Sequence, residues 1–126
     1  METIHTEDAP SYGDAPLSQG TIEDGMVYAA GQLGVDPATG GLVSSNVTEQ
    51  THQVFDNLEA VLEAGECSLN NVVNTTLFLA DLADYNEVND VYRERLSEPY
   101  PSRSAIGAGA LLANGAVEIE LVASIK

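Results

Sequence analysis

The sequence predicts an α+β domain in which a mixed sheet carries two helices on one face. Three patterns point there: two stretches with apolar residues at helical spacing, strand-like runs at both ends of the chain, and a length of 126 residues, which suits one domain. A chain of this size buries roughly two-thirds of the surface it exposes when unfolded, so a core can form without disulfides or metal. One domain spanning residues 1–126 is expected.

The elements follow in chain order. The Pro/Gly/Asp-rich stretch from Ala9 to Gly20 reads as an ordered loop. Met26-Val27-Tyr28-Ala29-Ala30 is a short apolar run ending at Gly31 and followed by the turn-rich Asp36-Pro37-Ala38-Thr39-Gly40-Gly41, which reads as a buried strand. From Val47 the apolar positions Val54, Phe55, Leu58, Val61 and Leu62 have helical spacing, with Asn46 and Glu49 as a capping pair and Gly65 as the stop. Val72 to Leu79 is rich in β-branched residues and reads as a strand. A second helix places Tyr85, Val88, Val91, Tyr92 and Leu96 on one face, with Asp84 and Glu87 as its capping pair and Pro99 and Pro101 preventing continuation. Ser102 to Leu112 and Val117 to Ile125 read as two antiparallel strands joined at the turn Asn114-Gly115. With both helices on one sheet face, the other face is left uncovered by a chain this small.

Charge narrows the function classes. Twenty Asp and Glu stand against four Lys and Arg, a formal charge of −16, which repels nucleic-acid phosphates and anionic lipids alike. Neither nucleic acid nor a membrane surface is expected as a partner. The acids are scattered singly rather than in a tail, as on a protein kept soluble in strong salt, where a Debye length of about 3 Å at 1 M screens their repulsion. No apolar run approaches the roughly 18 residues of a membrane helix, the N-terminus lacks an apolar signal stretch, and Cys67 is a lone cysteine, so a cytoplasmic setting is expected.

Few residues are equipped for chemistry. His5, His52 and Cys67 match no metal-ligand spacing, so no metal is expected. Cys67 lies in acidic surroundings that disfavour a thiolate and reads as a packing or surface residue. Gly107-Ala108-Gly109 opens no helix and reads as close backbone packing rather than a dinucleotide motif. Arg93 and Arg95 sit beside Glu94 and Glu98 on the second helix and read as surface ion pairs. Arg103 differs, because Tyr100-Pro101-Ser102 gives its strand a rigid start. It is either a fork for a small anionic substrate or an ion-pair partner of one of the many acids. Glu118 and Glu120 alternate with Val117, Ile119 and Leu121, so both face one side of the last strand, as a general base with a raised pKa or as a solvated strand face.

Taken together, Pro101-Ser102-Arg103-Ser104, Leu111 and Val117-Glu118-Ile119-Glu120 resemble the C-terminal signature of the Rid family, the reactive intermediate imine deaminases also called YjgF-like proteins. Ser18-Gln19-Gly20, Ala30-Gly31-Gln32, Asn57-Leu58, Val88-Asn89 and Tyr92 stand in the family's order, so the resemblance covers nearly the whole chain. It implies a chorismate-mutase-like mixed sheet with two helices on one face, a homotrimer with sites between subunits, and hydrolysis of 2-imino acids such as 2-iminobutanoate and 2-iminopropanoate to 2-oxo acids and ammonia without a cofactor. By position it implies that Arg103 clamps the substrate carboxylate and Glu118 orients the attacking water. Ala30 and Gly31 would supply backbone at the substrate, and Asn89 part of the pocket wall. Leu17 stands where family members with imine deaminase activity carry a tyrosine, and Ala105 where a cysteine is common.

Two function classes follow. One is an imine hydrolase. The other is a non-catalytic trimer that binds oxo or amino acids in the same pocket. If the last two strands form a hairpin, Arg103 and Glu118 lie at opposite ends of the sheet, on the order of 25 Å apart, and meet on one substrate only across a subunit boundary.

Overall fold

The computed structural model describes residues 1–125. Its single sheet has six strands in the order β1-β2-β3-β6-β4-β5: β1 Glu2–Ile4, β2 Gly20–Glu23, β3 Met26–Leu33, β4 Val72–Leu79, β5 Ser102–Gly107 and β6 Val117–Ser124. Helix α1 (Val47–Ala64) connects β3 to β4, and helix α2 (Tyr85–Arg95) connects β4 to β5. Every neighbouring pair is antiparallel except β4 and β5, which run parallel, as a helical crossover permits. The mixed α+β sheet with two helices is thus the architecture that the sequence patterns predict.

Both helices cover the same face. Alternation along β4 turns Thr75, Leu77 and Leu79 inward, and along β6 it turns Val117, Ile119, Leu121 and Ala123 inward, all buried. Val54, Phe55, Leu58, Val61 and Leu62 of α1 and Val88, Val91 and Tyr92 of α2 complete this core. The rings of Phe55 and Tyr92 meet edge to face at 5.9 Å, tying the helices together. Truncating a fully buried member such as Leu58 to alanine costs about 2–5 kcal/mol.

Helix α1 starts and stops as its sequence signals. Asn46 accepts from the Glu49 amide at 2.9 Å, and Gly65 ends the helix. Helix α2 departs from expectation at its start. Asp84 stands at the N-cap without a side-chain capping bond. The cap is Asp81, which accepts from Ala83 N at 2.9 Å and caps a 3-10 turn over Leu82–Asp84 that leads into the helix. Tyr85 leaves the core face assigned to it and is 38% exposed.

Four strand expectations are corrected. The N-terminal segment forms β1 and β2, which the polar sequence did not signal, and β3 continues past Gly31 to Leu33. β5 ends at Gly107, and the following loop carries Ala113 and Asn114 at φ of 58° and 57°. β5 and β6 form no hairpin, because β5 is recruited by β4 through the α2 crossover and β6 inserts between β3 and β4. The turn residues Asn114-Gly115 serve a longer loop. A Cβ at Gly115 would come within 2.7 Å of Leu33 Cδ2, which is why the loop closes there on glycine.

Two polar residues that carry the family resemblance act as staples. The Gln19 amide reaches the carbonyls of Thr6, Ala9 and Pro10 at 3.0–3.2 Å, while its Oε1 accepts from Thr6 N at 2.7 Å, fixing the N-terminal loop. Buried Asn57 donates to Leu33 O and Val35 O at 3.1 and 2.9 Å, fixing the end of β3. Cys67 is buried, and burial rather than neighbouring acids pushes its thiol pKa up.

Candidate functional site

Register sorts the site residues predicted from sequence into two groups. Paired residues share a sheet face. Arg103 pairs with Thr75, whose hydroxyl bonds Tyr92 of α2 at 2.8 Å, so Arg103 projects on the helix side. Glu118 pairs with Phe78, one step out of phase with buried Leu77 and Leu79, so it projects on the uncovered side. Three rungs of β4 and two strand spacings separate them, about 14 Å between Cα atoms rather than 25 Å. The opposite faces, and not the distance, keep them from one small ligand within a chain.

The group on the uncovered face is organised by a bulge. Between the pairs Ala29–Leu121 and Gln32–Ile119, β3 contributes one residue more than β6, and the bulge residues are Ala30 and Gly31. Ala30 N donates to Gln19 O at 2.9 Å, which fastens the bulge to the loop that carries Leu17 and Ser18. The Glu118 carboxylate rests over Gly31. A methyl group there would overlap Glu118 Oε2 and lie 3.0 Å from its Cδ, so only glycine leaves room. Glu118 is half-buried, and its pKa is raised, first by burial and then by the charge of Glu120, which shares its face. Tyr12 of the N-terminal loop lies beside the Leu33 backbone, its phenol pKa raised by burial and further by the Glu118 charge. Ser18, Ala30 and Glu120 line one shallow cavity of about 340 Å³, while Leu17 is 53% exposed on the neighbouring loop surface.

The second group surrounds Arg103. Its Nη2 donates to Tyr85 Oη at 2.8 Å, and the guanidinium carbon stands 4.8 Å from the Tyr92 ring centroid and 5.5 Å from that of Tyr85. Among the described residues no carboxylate pairs with it. The other arginines are paired, though with partners other than Glu94 and Glu98. Arg93 bonds Asp90 at 3.0 Å, and Arg95 bonds Asp56 at 2.8 Å with Glu59 at 3.6 Å. Arg103 opens onto a cavity of about 330 Å³ lined also by Asn89, Tyr85, Tyr92, Tyr100 and Pro101. Asn89 Oδ1 is buried with no hydrogen-bond partner among the described residues, an acceptor left over in this wall. Ala105 lies two residues along β5, on the same face and exposed.

Sequence reasoning thus named Arg103 and Asn89 without their setting, and missed Tyr12, Tyr85 and Tyr100. The signal for Tyr85 was its place at the first turn of α2, where the helix has not yet reached the core; for Tyr100 it was adjacency to Pro101. Among the described residues no group of three or more His, Cys, Asp or Glu is placed to hold a metal ion, and no helix is long and apolar enough to cross a membrane.

A family profile described as Endoribonuclease L-PSP matches residues 6–125. The chain belongs to this family, the one also called Rid or YjgF-like. Among Rid relatives, the 2-iminobutanoate/2-iminopropanoate deaminase of Homo sapiens is 40% identical over 95% of this chain and 87% of its own length. A RutC family protein of Pyrococcus horikoshii is 38% identical over 97% and 96%. The crystal structure of RidA from Psychrobacter superposes with a TM-score of 0.94 at 42% identity, covering 99% of this chain and all of its own. The Rid fold, a six-stranded sheet with two helices, is therefore shared along the whole described chain.

Proposed function

We propose that the protein hydrolyses small 2-imino acids, among them 2-iminobutanoate and 2-iminopropanoate, to 2-oxo acids and ammonia, at sites formed between subunits of a homotrimer. The observation that carries the reading is Arg103, a guanidinium facing a cavity and without a carboxylate partner among the described residues, in a chain of 20 acids. Relatives at about 40% identity named as deaminases of these two imines support it.

The chemistry asks little of the protein. The imine carbon is already electrophilic, so holding it against a placed water supplies much of the acceleration. Arg103 receives the carboxylate through two parallel N–H bonds, and Asn89 Oδ1 accepts from the imine N–H. Glu118, contributed by the neighbouring subunit with Gly31 and Ala30 beneath it, takes a proton as water oxygen bonds to carbon. It returns that proton to nitrogen to give the carbinolamine, then carries the hydroxyl proton to nitrogen as well, so that the C–N bond breaks and ammonia leaves as the carbonyl forms. A raised pKa suits a carboxylate that both takes and gives a proton near neutrality. The phenol-lined cavity and the small Ala105 leave room for a short side chain. A uniformly acidic surface, with Glu118 and Glu120 on the open face, disfavours an RNA phosphate backbone as substrate.

Support for the trimer is the uncovered face, where Tyr28 and Ile106 are 46% and 44% exposed beside half-buried Phe78 and Val122. Light scattering in molar salt is expected to give three chains. A monomer would remove the shared site. Coupling the protein to a threonine dehydratase in high salt is expected to speed 2-oxobutanoate formation, whereas binding without turnover would favour the non-catalytic alternative. After reversible dissociation, mixing inactive Arg103→Ala and Glu118→Gln chains is expected to restore part of the activity, and no recovery in verified mixed trimers would reject the shared site. The surface charge we read as salt adaptation, with melting temperature expected to rise between dilute and molar salt.

A further inference from the structure

Within the Arg103 cavity, Tyr85 is the one side chain that hydrogen-bonds the guanidinium among the described residues. Its ring could be supplied by phenylalanine; its hydroxyl could not. The oxygen lies 2.8 Å from Arg103 Nη2, and Asn89 lines the same cavity wall beside it. β5 is an edge strand exposed at every position except Arg103, which is half-buried, and beyond the faces of the Tyr92 and Tyr85 rings an arginine there has little to hold its long side chain still. Of the five N–H groups of a guanidinium, Tyr85 occupies one and leaves a two-donor edge for an anion.

We propose that Tyr85 is a positioning residue, whose hydroxyl holds Arg103 in the orientation that receives the substrate carboxylate and whose phenolate competes with that carboxylate for the guanidinium. The inference rests on the reading of Arg103 given above. Neutral Tyr85 fixes the fork before the ligand arrives, so less rotational freedom is lost on binding. Ionised Tyr85 would form an ion pair with Arg103 in place of the hydrogen bond, and the ligand would then have to displace an internal anion.

The surroundings favour ionisation below the usual range. Hydrogen bonding from Asn89 lowers the Tyr85 pKa most, followed by the charge of Arg103 and its hydrogen bond, with Arg93 adding a smaller contribution. The groups around it are therefore Arg103 of β5, Asn89 and Arg93 of α2, and the rings of Tyr92 and Tyr100 across the cavity. The nearest acids are Asp81 and Asp84 of the preceding turn and Glu87 of the first turn of α2, and the Asp84 pKa is raised by burial and then by the charges of Asp81 and Glu87.

The test compares wild type with Tyr85→Phe, which keeps the ring at a 38% exposed position and is expected to leave the melting temperature unchanged. Affinity for 2-oxobutanoate by titration calorimetry and steady-state deamination are both measured from pH 7 to 10. At pH 7 Tyr85→Phe is expected to raise KM and the 2-oxobutanoate Kd about five- to tenfold with kcat within twofold, the signature of lost preorganisation. In wild type the Kd is expected to climb as pH passes through the phenol's lowered pKa, while in Tyr85→Phe it stays flat. Equal affinities and equal pH profiles would overturn the proposal. So would a defect present in Tyr85→Ala but absent in Tyr85→Phe, which would assign the role to the ring. A wild type that neither binds 2-oxobutanoate nor accelerates its formation would overturn the reading of Arg103 itself, a result distinct from either.

Discussion

The two halves of the candidate site fix a charge by opposite means. On the helix side, Arg103 is held by what surrounds it: a hydroxyl at 2.8 Å, two aromatic rings, and a half-exposed position where hydration costs little. On the uncovered side, Glu118 is held by what is missing, since its carboxylate occupies the space that any side chain at residue 31 would fill. One half is a cation kept free of acids; the other is an acid whose charge is made costly. A cation must be aimed, whereas a proton carrier must be tuned, and each half uses the device its task requires.

That contrast can be broken from either side. The largest effect is expected for Arg103→Lys, which keeps the charge but loses the fork: kcat/KM is expected to fall on the order of 10²-fold in the coupled assay, and near-normal turnover would make Arg103 a structural cation. Gly31→Ala is expected next, with activity down at least about tenfold and the fold intact by circular dichroism, because the added methyl displaces Glu118. Glu120→Gln sharpens the comparison. Glu118 works ionised, so activity falls as pH drops through its raised pKa. Removing the Glu120 charge, the lesser cause of that rise, is expected to move the acid limb of the kcat profile to lower pH while burial keeps it above the ordinary carboxylate range. The linked stability has the opposite sense: a carboxyl whose folded pKa is raised binds more protons when folded, so Glu118 destabilises progressively as pH rises from the unfolded carboxyl's range through the raised value. The smallest effect is expected for Gln32→Met. Gln32 is fully buried with neither amide atom bonded among the described residues, and the substitution is expected to stabilise by about 1–2 kcal/mol in denaturant titration with little change in kcat.

Legibility followed the range of the forces. Helix α1 could be bounded to the residue, because Asn46, the apolar spacing and Gly65 act within a few positions of one another. β4 was equally plain from its β-branched run. β1 and β2 were hidden, since short strands near a sheet edge need few apolar residues and draw their pairing from β3. The Asn114-Gly115 turn misled for the reason that a turn records local backbone preference and not which strand lies beside which. In the site, Arg103 stood out by scarcity and Glu118 by its apolar flanks. Tyr85 could not be found that way, because its helical spacing matches the core face and only its position in the first turn frees it to reach β5.

The extra residue in β3 has a further consequence for what a change in chain length would do. Were Ala30 deleted and the strand made regular, Ala29 would still face Leu121 and Gln32 would still face Ile119. Every inward side chain would keep its place, and the helices would meet the same surface. Gly31, however, would stand alone opposite Glu120, out of the bulge that now sets it beneath Glu118. The core would be blind to such a deletion, and only the outer surface would register it, at the carboxylate and at the bond from Ala30 N to Gln19 O. Packing therefore gives no reason for this strand to carry one more residue than its partner, and the requirement comes from the chemistry at its outer surface.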